Sequence, residues 1–154
     1  MPVFVAEGVS EPPALSGTGW GGAGVTSVTV AHGTQLAVTT DRERHPDPDA
    51  DAQRALLVAL PEHGQWPRRS PAGLTLWLAA HERESRARAA AAESRTLVLP
   101  VDGAPVTFTA LRADGAWAAV GAAGELHITV VAHGIAPEAV RLRRLERPSD
   151  VLSP

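Results

Sequence analysis

Two histidines at the ends of predicted strands are the residues best placed to do chemistry in this sequence. His32 and His133 each follow a Val-Ala dipeptide and precede a glycine. If their strands are neighbours, the two imidazoles can converge as an acid/base pair or as metal ligands, with a carboxylate such as Asp41 and an arginine beside them. The pattern raises the hypothesis of a small isomerase-type or hydrolase-type enzyme. The alternative interpretation is that each histidine merely flanks a turn.

The sequence predicts no metal or cofactor. Two histidines are too few ligands to define a metal site. Asp47, Asp49 and Asp51 alternate as in the opening of a calcium loop. However, the sixth loop position is Ala52 and the twelfth is Val58, so this loop lacks the glycine and the bidentate glutamate that close the cage. The three aspartates therefore indicate a charged loop.

A glycine cluster at residues 17–22 formally matches the dinucleotide-binding pattern G-x-G-x-x-G. That motif works only between a strand and a helix whose amide groups hold the pyrophosphate. Here Pro12 and Pro13 precede the cluster, and a strand-like alternation follows it. The cluster therefore predicts a flexible loop.

Missing residue types exclude further mechanisms. The chain has no Cys and no Tyr, and its sequence contains neither Lys nor Asn. Thiol nucleophiles, disulfides and Schiff-base lysines are thereby excluded, and no serine lies in a G-x-S-x-G motif. The abundance of Ala, Gly, Pro and Arg is typical of a GC-rich bacterial genome. The formal net charge of −3 argues against nucleic acid or an anionic membrane as the partner.

Two pairs of residues are candidates for contacting a ligand or partner. Trp20 and Trp66 lie in glycine-rich and proline-rich stretches, where a large aromatic side chain covers the core or anchors an interaction. Arg141 and Arg143 would share one face of a final strand and could contact a phosphate or an acidic partner. The alternative is that these arginines protect a sheet edge from association.

Alternating apolar residues and turn signals predict most of the secondary structure. Residues 25–32 and 36–40 should form a hairpin, and residues 95–101, 106–112, 117–120 and 126–131 an antiparallel meander with Asp-Gly turns. A last strand is expected at 140–145, and one main helix near 82–93, where Glu and Arg are spaced i,i+4. Periodicity leaves residues 54–60 and 73–80 open between strand and helix, and favours strand for 55–60.

Together these patterns predict a single domain over 1–154 of α+β class. It would contain a β-dominated antiparallel sheet of about seven to nine strands. Flexible segments are expected at 7–24, 42–52 and 147–154. The leading functional prediction is a soluble, cytoplasmic, non-catalytic module that binds a protein partner or small ligand. The alternatives are the acid/base enzyme and a homo-oligomeric assembly subunit.

Overall fold

A computed structural model describes residues 1–22, 24–43, 47–59, 83, 87, 90, 92–113 and 115–152. Among these residues, one α-helix is described from end to end, α1 (Pro48–Ala59). Two short 3-10 helices span Pro137–Ala139 and Pro148–Leu152. The nine strands are β1 (Val3–Glu7), β2 (Pro13–Gly21), β3 (Gly24–His32), β4 (Leu36–Asp41), β5 (Glu93–Val101), β6 (Ala104–Ala113), β7 (Ala116–Ala123), β8 (Leu126–His133) and β9 (Arg141–Leu145).

All nine strands belong to one sheet, in the order β1-β9-β5-β6-β7-β8-β4-β3-β2. Every neighbouring pair is antiparallel except β5 and β9, which touch in parallel at Val101 and Leu142. The sheet curls until it is nearly barrel-shaped. The predicted β-dominated α+β class and antiparallel sheet are confirmed.

Tight turns connect the predicted meander. Asp102 and Gly103 both have positive φ, at 51° and 83°, and they join the paired residues Val101 and Ala104. Positive φ at both central positions is the geometry of a two-residue hairpin that follows the right-handed twist of its strands. The Asp-Gly signal therefore located this hairpin from sequence alone.

The inner face of the curled sheet encloses the main hydrophobic core. Phe108, Trp117 and Ile128 contribute large side chains from three successive strands of the meander, and each is at most 2% exposed. The Trp117 indole donates a hydrogen bond of 2.7 Å to the carbonyl of Ile135, which satisfies its buried polar group. Gly121 lies against the ring of Phe108, where an added Cβ would approach the ring to 2.7 Å. Trp117 is therefore part of the main core.

Strand β1 separates this core from a second one. Phe4 and Ala6 face the main core, while Val3 and Val5 pack with Val28, Val30 and Val151 in a smaller cluster. Because successive side chains of a strand point in opposite directions, a strand that is buried on both faces reads as a continuous apolar run. Residues 3–6, Val-Phe-Val-Ala, form such a continuous apolar run, and all four are buried.

Helix α1 covers part of the outer face of the sheet. Ala52 and Leu56 are fully buried and pack against Leu111, Ala118 and neighbouring residues of β6 and β7. The strand favoured for 55–60 is therefore wrong for residues 55–59, because spacing of four residues places these apolar side chains on one helical face. Leu60 lies outside the described residues.

The start of α1 corrects a second prediction. Asp47 accepts a hydrogen bond of 3.1 Å from the Ala50 amide, and Pro48 is the first helical residue. Aspartate at the N-cap followed by proline is a favourable helix start. Residues 48–52, predicted as part of a charged flexible loop, are accordingly helical.

Other boundaries also differ from the predictions. Arg83, Ala87 and Ala90 are helical, as expected for 82–93, but Glu93 already belongs to β5. Within 7–24, predicted to be flexible loop, residues 13–21 form β2, and within 147–154 residues 148–152 form a 3-10 helix. Residues 73–80 lie outside the described residues.

None of the described helices has the length and apolar character needed to cross a lipid bilayer.

Candidate functional site

His32 fastens β1 to the inner face of the sheet. Its Nε2 atom accepts a hydrogen bond of 3.1 Å from the Ala6 amide, and its Nδ1 atom lies 3.1 Å from the Glu11 carbonyl oxygen. An acceptor at Nε2 and a donor at Nδ1 require the neutral imidazole with its proton on Nδ1. Burial lowers the pKa of His32, against a smaller opposing effect of the bond to Glu11. Both ring nitrogens thus serve the structure.

His133 does not meet His32. His32 pairs with Leu36 of β4, and Leu36 pairs with Ala132 of β8, so these three side chains share the inner face. His133 is the next residue along β8 and points to the outer face, where it is exposed. Strand β4 lies between the two histidine strands. The convergence required for an acid/base pair is therefore absent from this arrangement.

Asp41 lies at the opposite end of the outer face from His133. Its cross-strand partner on β8 is His127. Its carboxylate also accepts a hydrogen bond of 2.7 Å from the Glu43 amide. Asp41 is thus near an imidazole, but near His127 instead of the two histidines singled out by the sequence pattern.

The candidate binding residues occupy separate parts of the surface. Trp20 is 72% exposed on β2. Arg141 and Arg143 are exposed on one face of β9, and Arg143 forms an ion pair of 3.0 Å with Glu7 of β1. Trp66 lies outside the described residues. The sequence-predicted residues therefore form no single site among those that are described.

A cleft of ≈ 230 Å³ lies on the outer face, between the start of α1 and strands β6, β7 and β8. It combines an apolar surface with a few polar groups, the usual character of a small-molecule site. Its polar side chains are Asp51, Thr107, Thr109, His127 and Thr129. The apolar side chains that line it on the outer face are Pro48, Val120 and Ala122.

Two of the three threonines of the cleft, Thr109 and Thr129, belong to a row that crosses the sheet. Pairing of adjacent strands aligns Thr96, Thr109, Val120, Thr129, Thr39 and Thr29 in that order. At one end of the row the hydroxyls of Thr29 and Thr39 are 2.8 Å apart and bond each other. Aligned β-branched residues stabilise neighbouring strands. The hydroxyls of Thr109 and Thr129 come from this row and, unlike those of Thr29 and Thr39, border the cleft.

Asp51 and His127 give the cleft its ionisable groups. The Asp51 side chain is about nine-tenths buried, and its carboxylate contacts the guanidinium of Arg54, one helical turn further on. His127 lies on the outer face of β8 and is half-buried. A carboxylate, an imidazole and threonine hydroxyls can donate and accept hydrogen bonds with a polar, uncharged molecule.

Sequence reasoning missed this cleft because its residues come from distant parts of the chain. His127 has no partner at a recognised spacing, and its neighbour Asp41 is identified only by strand pairing. One signal was available: Asp47-Pro48 marks a helix start and so predicts that Asp51 lies in the first turns of a helix.

Comparison with protein-family models, with curated proteins and with solved structures gives no match for this chain.

Proposed function

We propose that this protein is a non-catalytic binding module that takes a small, polar, uncharged molecule in the cleft between α1 and the outer face of β6 to β8. The observation that carries the proposal is the convergence of three threonine hydroxyls, His127 and Asp51 on one cleft with an apolar lining. A volume of ≈ 230 Å³ suits a ligand smaller than a typical drug molecule.

Charge supports an uncharged ligand over an anion. Asp51 is the acidic side chain of the cleft, and no arginine is among the described residues that line it. A phosphate or carboxylate would therefore meet the Asp51 carboxylate, whose ion-pair partner Arg54 does not line the cleft. The net charge of −3 likewise supports a small molecule over a nucleic acid.

The placement of the two histidines supports binding over catalysis. Both ring nitrogens of His32 form hydrogen bonds with main-chain groups, and His133 lies on the other face of the sheet. The proposal extends to a cytoplasmic location in a bacterium. The cysteine-free composition supports that location, because nothing in the chain depends on an oxidising compartment.

The test is an NMR fragment screen with ¹⁵N-labelled protein and a library of uncharged alcohols, amides and small heterocycles. Binders should shift the amide signals of Thr107, His127 and Thr129. Thr129→Val removes one hydroxyl without changing shape, so it should weaken a binder by roughly threefold to tenfold, the value of one hydrogen bond.

Thr96→Val is the matched control, because Thr96 lies in the same row but outside the cleft. It should leave the affinity unchanged. A screen whose binders all map elsewhere, or equal losses in the two variants, contradicts the proposal. Turnover of a bound fragment that disappears in His127→Ala would make the cleft an active site instead.

A further inference from the structure

The free edge of β2 is the feature of this fold that points to a partner. β2 pairs with β3 along one side, and no described strand pairs with its other side. At the other end of the sheet, β1 is also an edge strand. There, however, the amides of Phe4 and Ala6 donate to the side chains of Thr40 and His32. β1 is thus covered within the chain, whereas β2 is not covered by any described strand.

The β2 edge lacks two of the usual protections against pairing, charged side chains and an internal proline. Edge strands commonly carry charged side chains or an internal proline that discourage the addition of another strand. β5, which meets β9 at one residue pair, carries Glu93, Arg95 and Pro100 along its length. In β2, every residue after Pro13 is uncharged, and none is a proline.

Trp20 lies on this unprotected strand. At 72% exposure it is the most exposed of the large hydrophobic side chains in the described part of the chain. It pairs with Val25, which places the indole on the outer face of the sheet. Gly17 and Gly19 lie on the same face of β2, and the Ser27 hydroxyl of β3 fills the position that a side chain of residue 19 would take. An exposed tryptophan on an uncharged edge strand is characteristic of an interaction anchor.

We propose that β2 pairs antiparallel with β2 of a second copy of this chain, which joins the two sheets edge to edge. In a two-fold interface the same surface of both copies is in contact, so a charged side chain near the axis would face an identical charge and be repelled. The stretch from Pro12 to Thr40, which includes β2 and β3, contains no ionisable side chain other than the internally bonded His32. Neutrality over the whole edge therefore favours self-pairing over capture of a charged peptide.

The bulges of β2 define where the two copies meet. Its register shifts between Leu15 and Gly17 and again between Gly19 and Trp20. Bulges bend and twist a strand, so regular pairing is restricted to the short segment between them. Pairing centred on Thr18 places Gly19 of each copy opposite Gly17 of the other and brings Trp20 of each copy close to these small residues. The 3-10 helix at 148–152 packs near Leu15, and Gly17 and Thr18 beyond it are exposed.

Sedimentation equilibrium between roughly 1 and 200 μM tests the proposal. The wild-type chain should dimerise with concentration, and Trp20→Lys should raise the dissociation constant at least about tenfold, because each copy then exchanges its apolar anchor for a charged side chain beside the pairing segment. Val98→Lys is the matched control, since Val98 is an exposed apolar residue on β5. It should leave the dissociation constant unchanged.

Cysteine cross-linking gives an independent readout that does not depend on the tryptophan variant. Since the native chain has no cysteine, Thr18→Cys introduces a single thiol at the proposed axis, and Val98→Cys introduces one elsewhere. Mild oxidation should link Thr18→Cys into a dimer at concentrations where Val98→Cys stays monomeric. A wild-type chain that is monomeric throughout the range, or equal cross-linking of the two variants, overturns the proposal and leaves the edge to a different protein.

Discussion

His32 shows how burial turns a titratable side chain into a structural one. It is 1% exposed, and it connects β1 on one side to Glu11, two residues before β2, on the other. The bond from the Ala6 amide requires a free electron pair on Nε2. A proton on that atom would remove the acceptor and leave a buried charge, so the neutral form is favoured in the fold.

His32→Leu should lower the free energy of unfolding by about 1–3 kcal/mol at pH 7.5, because the buried Ala6 amide loses its acceptor. Urea denaturation followed by circular dichroism measures this change. His133→Leu is the control, because that imidazole is exposed, and it should change stability by less than about 0.5 kcal/mol. Equal effects would show that the bond to Ala6 contributes little.

The same residue should make stability fall in acid. The folded-state pKa of His32 is lowered below its ordinary value of about 6.5, so between these two values the unfolded chain binds more protons than the folded one. His32 therefore adds its full stability above about pH 6.5, and that contribution declines as the pH falls toward the lowered pKa. The decline is at most about 1.4 kcal/mol per pH unit. The His32→Leu variant should lose this part of the slope and His133→Leu should keep it.

Helix α1 depends on its first residues for both its stability and its place beside the cleft. Pro48 and Asp51 from its first turns line that cleft. The Asp47 carboxylate satisfies the Ala50 amide, one of the free donors at the start of the helix. The cap thus connects a local sequence signal to the geometry of the candidate site.

Asp47→Ala should destabilise the protein by about 1 kcal/mol, the usual effect of losing an N-cap side chain. Asp49→Ala is the control within the same turn, because it removes an acidic residue near the helix start without removing the cap bond. Its effect should stay within a few tenths of a kcal/mol. Thermal denaturation of both variants distinguishes them, and an effect of Asp49→Ala as large as that of Asp47→Ala would argue against capping.

At the level of elements, the sequence predicts local pairing well and long-range pairing poorly. Asp102-Gly103 identified its hairpin because both residues adopt positive φ in a two-residue turn. α1 was misread because Leu56, Val58 and Leu60 alternate as in a strand, whereas the face that is buried begins at Ala52. The cleft could not be predicted, since Asp51 and His127 lie far apart in sequence and line one cleft only because α1 packs on β6, β7 and β8.

The curled sheet is closed by hydrogen bonds from main-chain amides of β1 to side chains of β3 and β4, whereas a barrel would be closed by pairing between strands. The free edge of β1 approaches the inner face of β3 and β4, and Thr40 and His32 receive its amides at 3.0 and 3.1 Å. This seam divides the main core from the cluster around Val3 and Val5. Opening it would expose both apolar cores to water.

The two side chains of the seam should act cooperatively. Thr40→Val removes the acceptor for Phe4 while keeping the shape, and should cost about 1–3 kcal/mol. In His32→Leu the β1 edge is already loosened, so the double variant should be more stable than the sum of the two changes implies, by about 0.5 kcal/mol or more. A double-mutant cycle in urea measures this coupling energy.

Thr39→Val provides the matched cycle, because Thr39 is the adjacent residue and bonds Thr29 on the outer face. Its effect should add to that of His32→Leu without coupling. Additive behaviour of Thr40→Val as well would show that the two bonds to β1 act independently.

The pairing of β1 with β9 also sets the order of events during folding. Val3 pairs with Leu145, so residues roughly 140 positions apart must find each other. The meander from β5 to β8 closes through short turns and can form early, whereas β1 must wait for the last strand of the sheet. Until then the apolar run at 3–6 lacks its strand partner, so we expect the pairing of β1 with β9 to be the slow step of folding.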